Sequence, residues 1–392
     1  MITLIENGEV YAPAPRGRQS VLVINGVIEQ VGEVDRRALE ALRLPLEVVD
    51  ASGCVVCPGL IDPHEHILGG SGEHGFASMT PEIFVEELVA AGVTTVVGCL
   101  GVDVTLRNMS ALVGKAKALR EEGVDCFLWT GGYRVPPVSL TPSVRDDILF
   151  IEEVIGVGEV AIADERSTDP DAHELAKVVH EAYVGGMLAR KCGLTHFHVG
   201  EERQRLAPLR ELIERYSVEP GWLYATHVER NEPLMREALA LAREGVHIDV
   251  DVVAQDLPKW LRFYVDHGGD PERLTISSDA SIASPGTLLG QLRSAVREHR
   301  FPLELVLPML TANTARVLRL GRQGTLEPGK AGDLLLLDGR SLEVADVHCR
   351  GGWMMRGGSL VKRSRWLEGN KRQLNLKGTD VGGDAHARGT ES

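Results

Sequence analysis

The stretch from Cys54 to Gly75, CVVCPGLIDPHEHILGGSGEHG, contains the residues best suited to chemistry. An apolar run leads through a Pro-Gly break to His64 and His66, which occupy alternate positions where a strand would end. Side chains two residues apart on a strand point the same way, so both imidazoles can reach one ion. The glycines that follow allow the chain to turn, and Glu73 lies in that loop. A lone His-x-His pair is a weak signal, so a metal site requires further ligands at later strand ends.

The elements that would position these ligands alternate regularly from residue 58 onward. Apolar runs are separated by amphipathic helical patterns such as TPEIFVEELVAAG and MSALVGKAKALREEG. The eight runs are LIDPHEH, TTVVGCLG, CFLWTGG, VGEVAIA, LTHFHVG, LYATHV, VHIDVDV and LTISSD. Apolar strands without alternation are typical of a parallel sheet covered on both faces. We therefore predict an α/β fold in which residues 58–322 form a catalytic (β/α)₈ TIM-like barrel.

The two ends of the chain predict a second, smaller domain. Residues 1–57 contain short strands, with a hairpin signal at Asn25-Gly26. Residues 323–366 contain further strands that have only the amino-terminal ones to pack against. We predict that the two segments join in a small β-sandwich domain, with the barrel inserted between them. Residues 367–392 lack apolar periodicity, and we expect this tail to be disordered.

Composition excludes several classes of function. The formal net charge of −14 argues against nucleic-acid binding. No run approaches the ~18 apolar residues of a membrane helix, and the first residues do not resemble a signal peptide. The six cysteines mostly stand singly in apolar runs, as buried thiols of a reducing compartment do, and Cys54 and Cys57 lack the partners of a zinc ribbon. We expect a cytoplasmic protein without nucleic-acid or membrane partners.

Later strand ends supply further candidate ligands. These are Glu159 in VGEVAIADERS, His198 in LTHFHVG, His227 in LYATHVERN and Asp279 in LTISSDAS. Functional groups of such barrels sit at the carboxyl ends of the strands. Together with the first pair, four histidines and two carboxylates could hold two divalent metal ions, and zinc suits this donor set best.

Each of these ligands alone has a structural explanation. His227 could be a core histidine, Glu159 a paired buried carboxylate and Asp279 a helix cap. Their joint placement at strand ends favours the metal site. Of the neighbours His196 and His198, we favour His198 because it immediately precedes the turn Val199-Gly200.

Several motifs resemble a known family. DPHEH, SSD and the closing pattern TANTARVLRLGRQGTLEPGKAGDLLLLD resemble the amidohydrolase superfamily. HILGGSGEHG, LWTGGYRVPP, DERS and ATHVERN are similar to the isoaspartyl dipeptidase family within it. The resemblance runs from the start of the chain to about residue 362. It implies a homo-oligomeric, zinc-dependent enzyme that hydrolyses the isopeptide bond of β-aspartyl dipeptides with a metal-bridged hydroxide.

The resemblance also implies a role for each matching metal ligand. His64 and His66 would bind the more buried zinc, and His198 and His227 the second. Asp279 would bind the first zinc and serve as general base and then as general acid.

The same resemblance assigns the groups that bind substrate. Tyr133, in TGGYRVPP, would polarise the scissile carbonyl. Glu73 would hold the free α-amino group of the aspartyl unit, and Arg230 its α-carboxylate. Arg166 would hold the carboxylate of the leaving amino acid. Arginine suits both carboxylates because its guanidinium can bind them in bidentate fashion.

Three positions depart from the family pattern or leave a choice open. A lysine carboxylated by CO₂ bridges the metals in the enzymes that this sequence resembles, whereas Glu159 stands at the matching position and supplies two oxygens without modification. Glu65 replaces an apolar residue and must face away from the histidines, so we interpret it as a supporting or ion-paired group. After the general base, either Ser281 or Ser284 would contact substrate.

Two other functions remain open. The same metal centre could deacylate an N-acyl amino acid or open a cyclic amide, but an acylated amine offers no ammonium group to Glu73. A non-catalytic interaction protein with an amidohydrolase fold would be expected to have lost ligands or the base, and all of them are present.

Overall fold

The amino-terminal segment folds into strands of a mixed sheet. A computed structural model describes residues 2–70 and 72–365. The first elements are β1 (Ile2–Tyr11), β2 (Pro15–Ile24), β3 (Val27–Gly32), the short helix α1 (Arg36–Ala41), β4 (Leu46–Asp50) and β5 (Cys54–Pro58). Between β2 and β3, Asn25 and Gly26 both have positive φ, 49° and 77°. This is the conformation that a tight hairpin turn requires, so the predicted hairpin is confirmed.

Eight parallel strands follow and form the barrel. They are β6 (Leu60–Glu65), β7 (Val93–Gly98), β8 (Asp125–Thr130), β9 (Val154–Ile162), β10 (Thr195–Val199), β11 (Leu223–Thr226), β12 (His247–Asp251) and β13 (Leu274–Ser277). The strands pair in chain order from β6 to β13. Every residue of six of them is buried, because helices cover the outside of the sheet and side chains fill the inside. The eight predicted strands are confirmed.

The barrel closes between its first and last strands. The backbone N–H of Asp279 donates to the carbonyl of His64 at 3.1 Å, and that of His66 donates to the carbonyl of Ala280 at 3.0 Å. The side chain of Asp62 reinforces this seam, accepting from the backbone of His64 at 3.2 Å and of Ser278 at 3.1 Å. The seam therefore brings together candidate ligands from the first strand of the barrel, β6, and from the residues that follow its last strand, β13.

Helices alternate with these strands. They are α2 (Val85–Ala90), α3 (Met109–Glu122), α4 (Val144–Phe150), α5 (Ala172–Ala189), α6 (Ala207–Arg215), α7 (Glu232–Glu244), α8 (Leu257–Asp266), α9 (Gly286–Arg293), α10 (Leu303–Val306) and α11 (Ala312–Val317). Asp171 is the N-cap of helix α5, and its side chain accepts a hydrogen bond from the backbone N–H of Glu174 at 2.8 Å. The helix buries Leu175 and Val179 against the sheet. No helix in the described ranges is long and apolar enough to cross a membrane.

The chain then returns to the first sheet. The last strands are β14 (Leu334–Asp338), β15 (Val344–Cys349), β16 (Gly352–Arg356) and β17 (Ser359–Leu360). Strand β14 pairs antiparallel with β5, so that nine strands from both chain ends share one sheet. Residues from both ends, including Ile5, Val56 and Leu336, pack into one apolar core. The predicted fold class, a barrel with a small β-sandwich domain built from both ends, is confirmed.

The limits of the two domains remain predictions. The boundaries 1–57 plus 323–366 for the sandwich and 58–322 for the barrel agree with the strands above but are not tested separately. The tail expected at residues 367–392 lies outside the described residues, as does residue 366.

Candidate metal centre and active site

The structure brings all six predicted ligands together at the carboxyl ends of the barrel strands. Among the described residues, four groups of side chains could each hold a metal ion, because one ligand atom from every member lies within 4.8 Å of those of the others. Three groups contain the predicted ligands: His64, His66, Cys99 and Glu159; His64, His227 and Asp279; and Glu159, His198 and His227. The fourth is His227, Glu229 and Asp251. Because Glu159 and the histidines are shared between groups, the cluster is continuous and large enough for more than one ion.

The first-strand pair, His64 and His66, faces two carboxylates. Nε2 of His64 lies 3.2 Å from Oε2 of Glu159 and 3.4 Å from Oδ1 of Asp279. Nε2 of His66 lies 3.3 Å from the other oxygen of Glu159 and 3.2 Å from the same oxygen of Asp279. Burial alone would lower the pKa of His64, but Glu159, Cys99 and Asp279 together outweigh it and raise this pKa well above its usual value. The negative charge of the carboxylates thus stabilises positive charge at this point.

The second pair, His198 and His227, comes from β10 and the end of β11. Nδ1 of His198 lies 3.2 Å from Oε2 of Glu159, and Nε2 of His227 lies 3.7 Å from the same oxygen. The opposite nitrogen of each ring contacts a different carboxylate, Asp164 at 3.0 Å and Asp251 at 2.6 Å. Each ring therefore has one nitrogen directed to the cluster and the other fixed by an anion.

The donor set fits divalent ions. Both nitrogens of His64 and Oε1 of Glu159 are buried and have no hydrogen-bond partner within the described ranges. Buried polar atoms without hydrogen-bond partners are rare in proteins, and here they belong to residues of the candidate ligand groups. Imidazole nitrogens and carboxylate oxygens are the ligands that zinc prefers outside thiolate sites. Burial raises the pKa of Glu159, but the surrounding imidazoles lower it well below its usual value, so it is an anion.

Tyr133 lies at the edge of this cluster, in the loop after β8. Its hydroxyl is 2.8 Å from Nδ1 of His198. Burial, and then the negative charge of Glu159, raises the pKa of Tyr133 well above its usual value. The phenol therefore stays protonated and can donate a hydrogen bond.

Charged side chains surround the mouth of the site. The guanidinium of Arg166 donates to Oε1 of Glu73 at 2.9 Å and makes a bidentate pair with Asp164. Nη2 of Arg230, in the turn Val228–Arg230, is 3.5 Å from Nε2 of His198. Glu73 and Arg166, both predicted to bind substrate, thus contact each other across the mouth.

These groups line one cavity of about 240 Å³. The predicted residues on its wall are His66, Glu73, Tyr133, Arg166, His198, Arg230 and Asp279. Ser281 also lines it and Ser284 does not, so the structure favours Ser281 of the two serines. His74 and Cys99, which sequence analysis does not select, lie on the wall as well.

Glu65 fits only part of its prediction. Its side chain is fully buried and belongs to none of the ligand groups, as expected. Among the described residues, neither carboxyl oxygen has a hydrogen-bond or ion-pair partner. Burial, and then the charge of Asp62, raises the pKa of Glu65 well above its usual value. Of the two predicted roles, the ion-paired one is therefore wrong, and the supporting one stays a prediction.

Sequence reasoning missed Asp164 and Asp251, the carboxylates behind the second histidine pair. Both follow or end apolar strands, as the predicted ligands do. The rule that identified the ligands would also have selected these two aspartates.

Comparisons with known proteins identify related chains. A model of the amidohydrolase family matches residues 226–384. The crystal structure of a β-aspartyl dipeptidase from *Fervidobacterium islandicum* AW-1 has a TM-score of 0.88 and 36% sequence identity, covering 96% of this chain and 100% of that one. The structure of the *Fervidobacterium* enzyme in complex with a β-Asp-Leu dipeptide has a TM-score of 0.86 and 35% identity, with the same coverage.

More distant relatives catalyse other reactions. An adenine deaminase from *Mesorhizobium japonicum* is 25% identical over 350 residues, covering 82% of this chain and 52% of the deaminase. A D-phenylhydantoinase from *Escherichia coli* is 33% identical over 103 residues, covering 26% of this chain and 21% of the hydantoinase. The chain thus spans about half the length of the first relative and a fifth of the second.

Proposed function

Since the chain belongs to the isoaspartyl (β-aspartyl) dipeptidase family of the amidohydrolase superfamily, we propose that it is a metal-dependent hydrolase of the isopeptide bond in β-aspartyl dipeptides. Two divalent ions, with zinc as the proposed identity, would be held by His64, His66, Glu159, His198, His227 and Asp279. Glu159 would bridge the two ions as an unmodified carboxylate.

The observation that carries this proposal is the charge pattern of the cavity. Glu73, Arg166 and Arg230 line the same wall as Asp279 and the histidines. A β-aspartyl dipeptide has one free ammonium and two free carboxylates, because the peptide bond uses the side-chain carboxyl of the aspartyl unit. One anion and two arginines match these three charges. The substrate groups would replace the contact between Glu73 and Arg166.

When bound among these ligands, divalent ions would lower the pKa of water to roughly 7 and polarise the scissile carbonyl. Burial raises the pKa of Asp279, but His64 and His66 outweigh it, so the carboxylate is ionised and can accept a proton from water. The oxygen of that water forms a bond to the carbonyl carbon. Asp279 then passes the proton to the amide nitrogen as the carbon–nitrogen bond breaks, which releases a neutral amine.

Tyr133 and the charged residues would assist this reaction by position. The protonated phenol of Tyr133 would donate a hydrogen bond to the oxygen on which negative charge develops. Glu73 would bind the α-ammonium, Arg230 the α-carboxylate and Arg166 the carboxylate of the leaving residue. Fixing both ends of the substrate places the isopeptide bond beside Asp279.

A substrate panel tests the proposal. Zinc-loaded protein is given β-Asp-Leu, α-Asp-Leu, N-acetyl-leucine, a hydantoin and adenine, and product formation is followed. We expect cleavage of β-Asp-Leu alone, and a Glu73→Gln variant should lose most of it because the amide cannot neutralise an ammonium. Cleavage of the acylated or cyclic compound in preference to β-Asp-Leu would assign the same centre to another amidohydrolase reaction.

A further inference from the structure

We propose that Asp164 is a positioning residue that holds both the imidazole of His198 and the guanidinium of Arg166, so that one carboxylate orients a metal ligand and a substrate-binding group. The part that concerns Arg166 rests on the proposed function. The part that concerns His198 rests on the metal centre alone.

Each carboxylate oxygen of Asp164 makes two polar contacts. Oδ1 accepts from the backbone N–H and from Nε of Arg166, each at 2.8 Å. Oδ2 accepts from Nη2 of Arg166 at 2.8 Å and lies 3.0 Å from Nε2 of His198. The side chain is only 7% exposed, so water competes little for these contacts.

The chain is shaped to bring this aspartate against β10. Gly200 directly follows β10, and a Cβ built on it would lie 2.6 Å from Cα and 2.6 Å from Cβ of Asp164. Such distances are sterically forbidden, so only glycine allows the end of β10 to approach the turn that carries Asp164. The close contact between His198 and Asp164 therefore depends on the local backbone.

The contact determines which nitrogen of His198 is free to bind metal. Nε2 of His198 lies 3.0 Å from Oδ2 of Asp164 and 3.0 Å from Nη2 of Arg166. A proton on Nε2 lets the ring donate to this carboxylate, which only accepts hydrogen bonds when it is ionised. Nδ1, which lies 3.2 Å from Oε2 of Glu159 and 2.8 Å from the hydroxyl of Tyr133, then keeps its lone pair for a metal ion held between the ring and Glu159.

The same carboxylate determines the direction of Arg166. Nε and Nη2 of the guanidinium are bound to Asp164, which leaves Nη1 directed to Glu73 at 2.9 Å on the cavity wall. Without Asp164 this long side chain would regain rotamers that substrate binding would have to restrict again. Loss of Asp164 should therefore weaken substrate binding as well as metal binding.

Asp251 provides a natural control. It contacts Nδ1 of His227 at 2.6 Å, in the way that Asp164 contacts His198, but within the described residues it makes no hydrogen bond to a substrate-binding arginine. Arg166 is the complementary control, since it contacts Asp164 but is not a metal ligand. Its Nη2 also lies 3.0 Å from Nε2 of His198, so the control variant is Arg166→Lys, which keeps a positive charge there. Variants at Asp164, Asp251 and Arg166 therefore separate the effect on metal binding from the effect on substrate binding.

The experiment compares Asp164→Asn, Asp251→Asn and Arg166→Lys with wild type. Zinc affinity is measured by chelator competition, and KM and kcat are measured with β-Asp-Leu at saturating zinc. Asp164→Asn should bind its weaker zinc about 10–100-fold less tightly and should raise KM about tenfold or more. Asp251→Asn should lose zinc affinity while its KM stays within about twofold of wild type. Arg166→Lys should keep its zinc affinity and raise KM.

A second measurement uses the wild-type protein and does not depend on the folding of any variant. Nitrogen-15 NMR of labelled histidines in the zinc form should show His198 protonated at Nε2. A proton on Nδ1, or an Asp164→Asn variant in which zinc affinity or KM is unchanged, would overturn the joint role. If wild type leaves β-Asp-Leu intact, the proposed function fails, whereas zinc affinity and the tautomer of His198 still decide the role of Asp164 at the metal centre.

Discussion

The two histidine pairs of the candidate metal centre are supported in different ways. The carboxylates of Asp164 and Asp251 contact the rings of the second pair, His198 and His227. Among the described residues, no carboxylate contacts the Nδ1 atom of either ring of the first pair. Nδ1 of His64 has no hydrogen-bond partner in the part of the chain that the structure describes, and Nδ1 of His66 has only the thiol of Cys99, at 3.6 Å.

Packing and backbone bonds support the first pair instead. The ring of His64 meets that of His196 edge to face at 4.9 Å, and His196 stacks on Trp129 at 5.2 Å. The indole N–H of Trp129 donates to the carbonyl of Pro63 at 2.9 Å. The first pair is thus fixed by the core of the barrel, and the second by charge. We expect changes beneath the first pair to alter stability and changes behind the second to alter metal affinity.

Because Glu159 faces both histidine pairs, its removal should affect both pairs alike. Glu159→Ala should lose zinc from both halves, with affinity reduced on the order of 10³-fold, because it leaves buried imidazoles without their anion. Activity should fall with it. Zinc content and turnover of β-Asp-Leu measure the effect, and Glu65→Gln, a change at a buried acid outside the cluster, is the matched control. Retention of both metals by Glu159→Ala would exclude a bridging role.

Trp129 tests the support beneath the first pair. Trp129→Ala should lower the free energy of unfolding by about 3–5 kcal/mol, because it removes a fully buried indole. Urea denaturation measures this change. The half-buried Trp222 is the control, and Trp222→Ala should cost less. Zinc lost from folded Trp129→Ala protein without a loss of stability would contradict the assignment of Trp129 to packing.

Arg230 tests whether substrate binding is separate from metal binding on the side of the second pair. Arg230→Ala should retain its zinc but lower kcat/KM for β-Asp-Leu about 10–100-fold, because a charge-assisted contact to the α-carboxylate is lost. Arg236→Ala, on the surface of α7, is the control. Unchanged kinetics of Arg230→Ala would mean that the assignment of this substrate contact is wrong.

Cys99 gives the smallest expected effect. Although it belongs to the first ligand group, its thiol lies 3.6 Å from Nδ1 of His66, whereas both carboxylates face the opposite nitrogen, Nε2. We therefore expect Cys99→Ala to change zinc affinity by less than about threefold. This compares with the much larger loss expected for Asp251→Asn. An equal loss in both variants would mean that the two halves are supported alike.

The sequence predicts the fold well because continuous apolar strands and amphipathic helices are local patterns. It also predicts which side chains meet in the cluster, since a barrel brings its strand ends to one face. The same rule would have selected Asp164 and Asp251, but no local pattern distinguishes a carboxylate that faces a shared ion from one that contacts the far nitrogen of an imidazole. The contact between Glu73 and Arg166 joins residues 93 positions apart in different loops, and no spacing rule predicts it.

The unpaired carboxyl group of Glu65 is likewise not predictable from its neighbours. A charged residue on a strand is expected to find a partner, and only the packed structure shows that this group has none among the described residues and that burial, and then the charge of Asp62, raises its pKa. The choice of Ser281 over Ser284 depends on side-chain direction in an irregular loop, which a sequence pattern does not determine.

Zinc titration of metal-free protein tests the central claim most directly, with bound zinc and hydrolysis of β-Asp-Leu measured at each point. We predict that the metal-free protein is inactive and that activity rises with bound zinc up to two ions per chain. Equal hydrolysis without zinc, or none with both sites filled, would contradict a metal-dependent β-aspartyl dipeptidase.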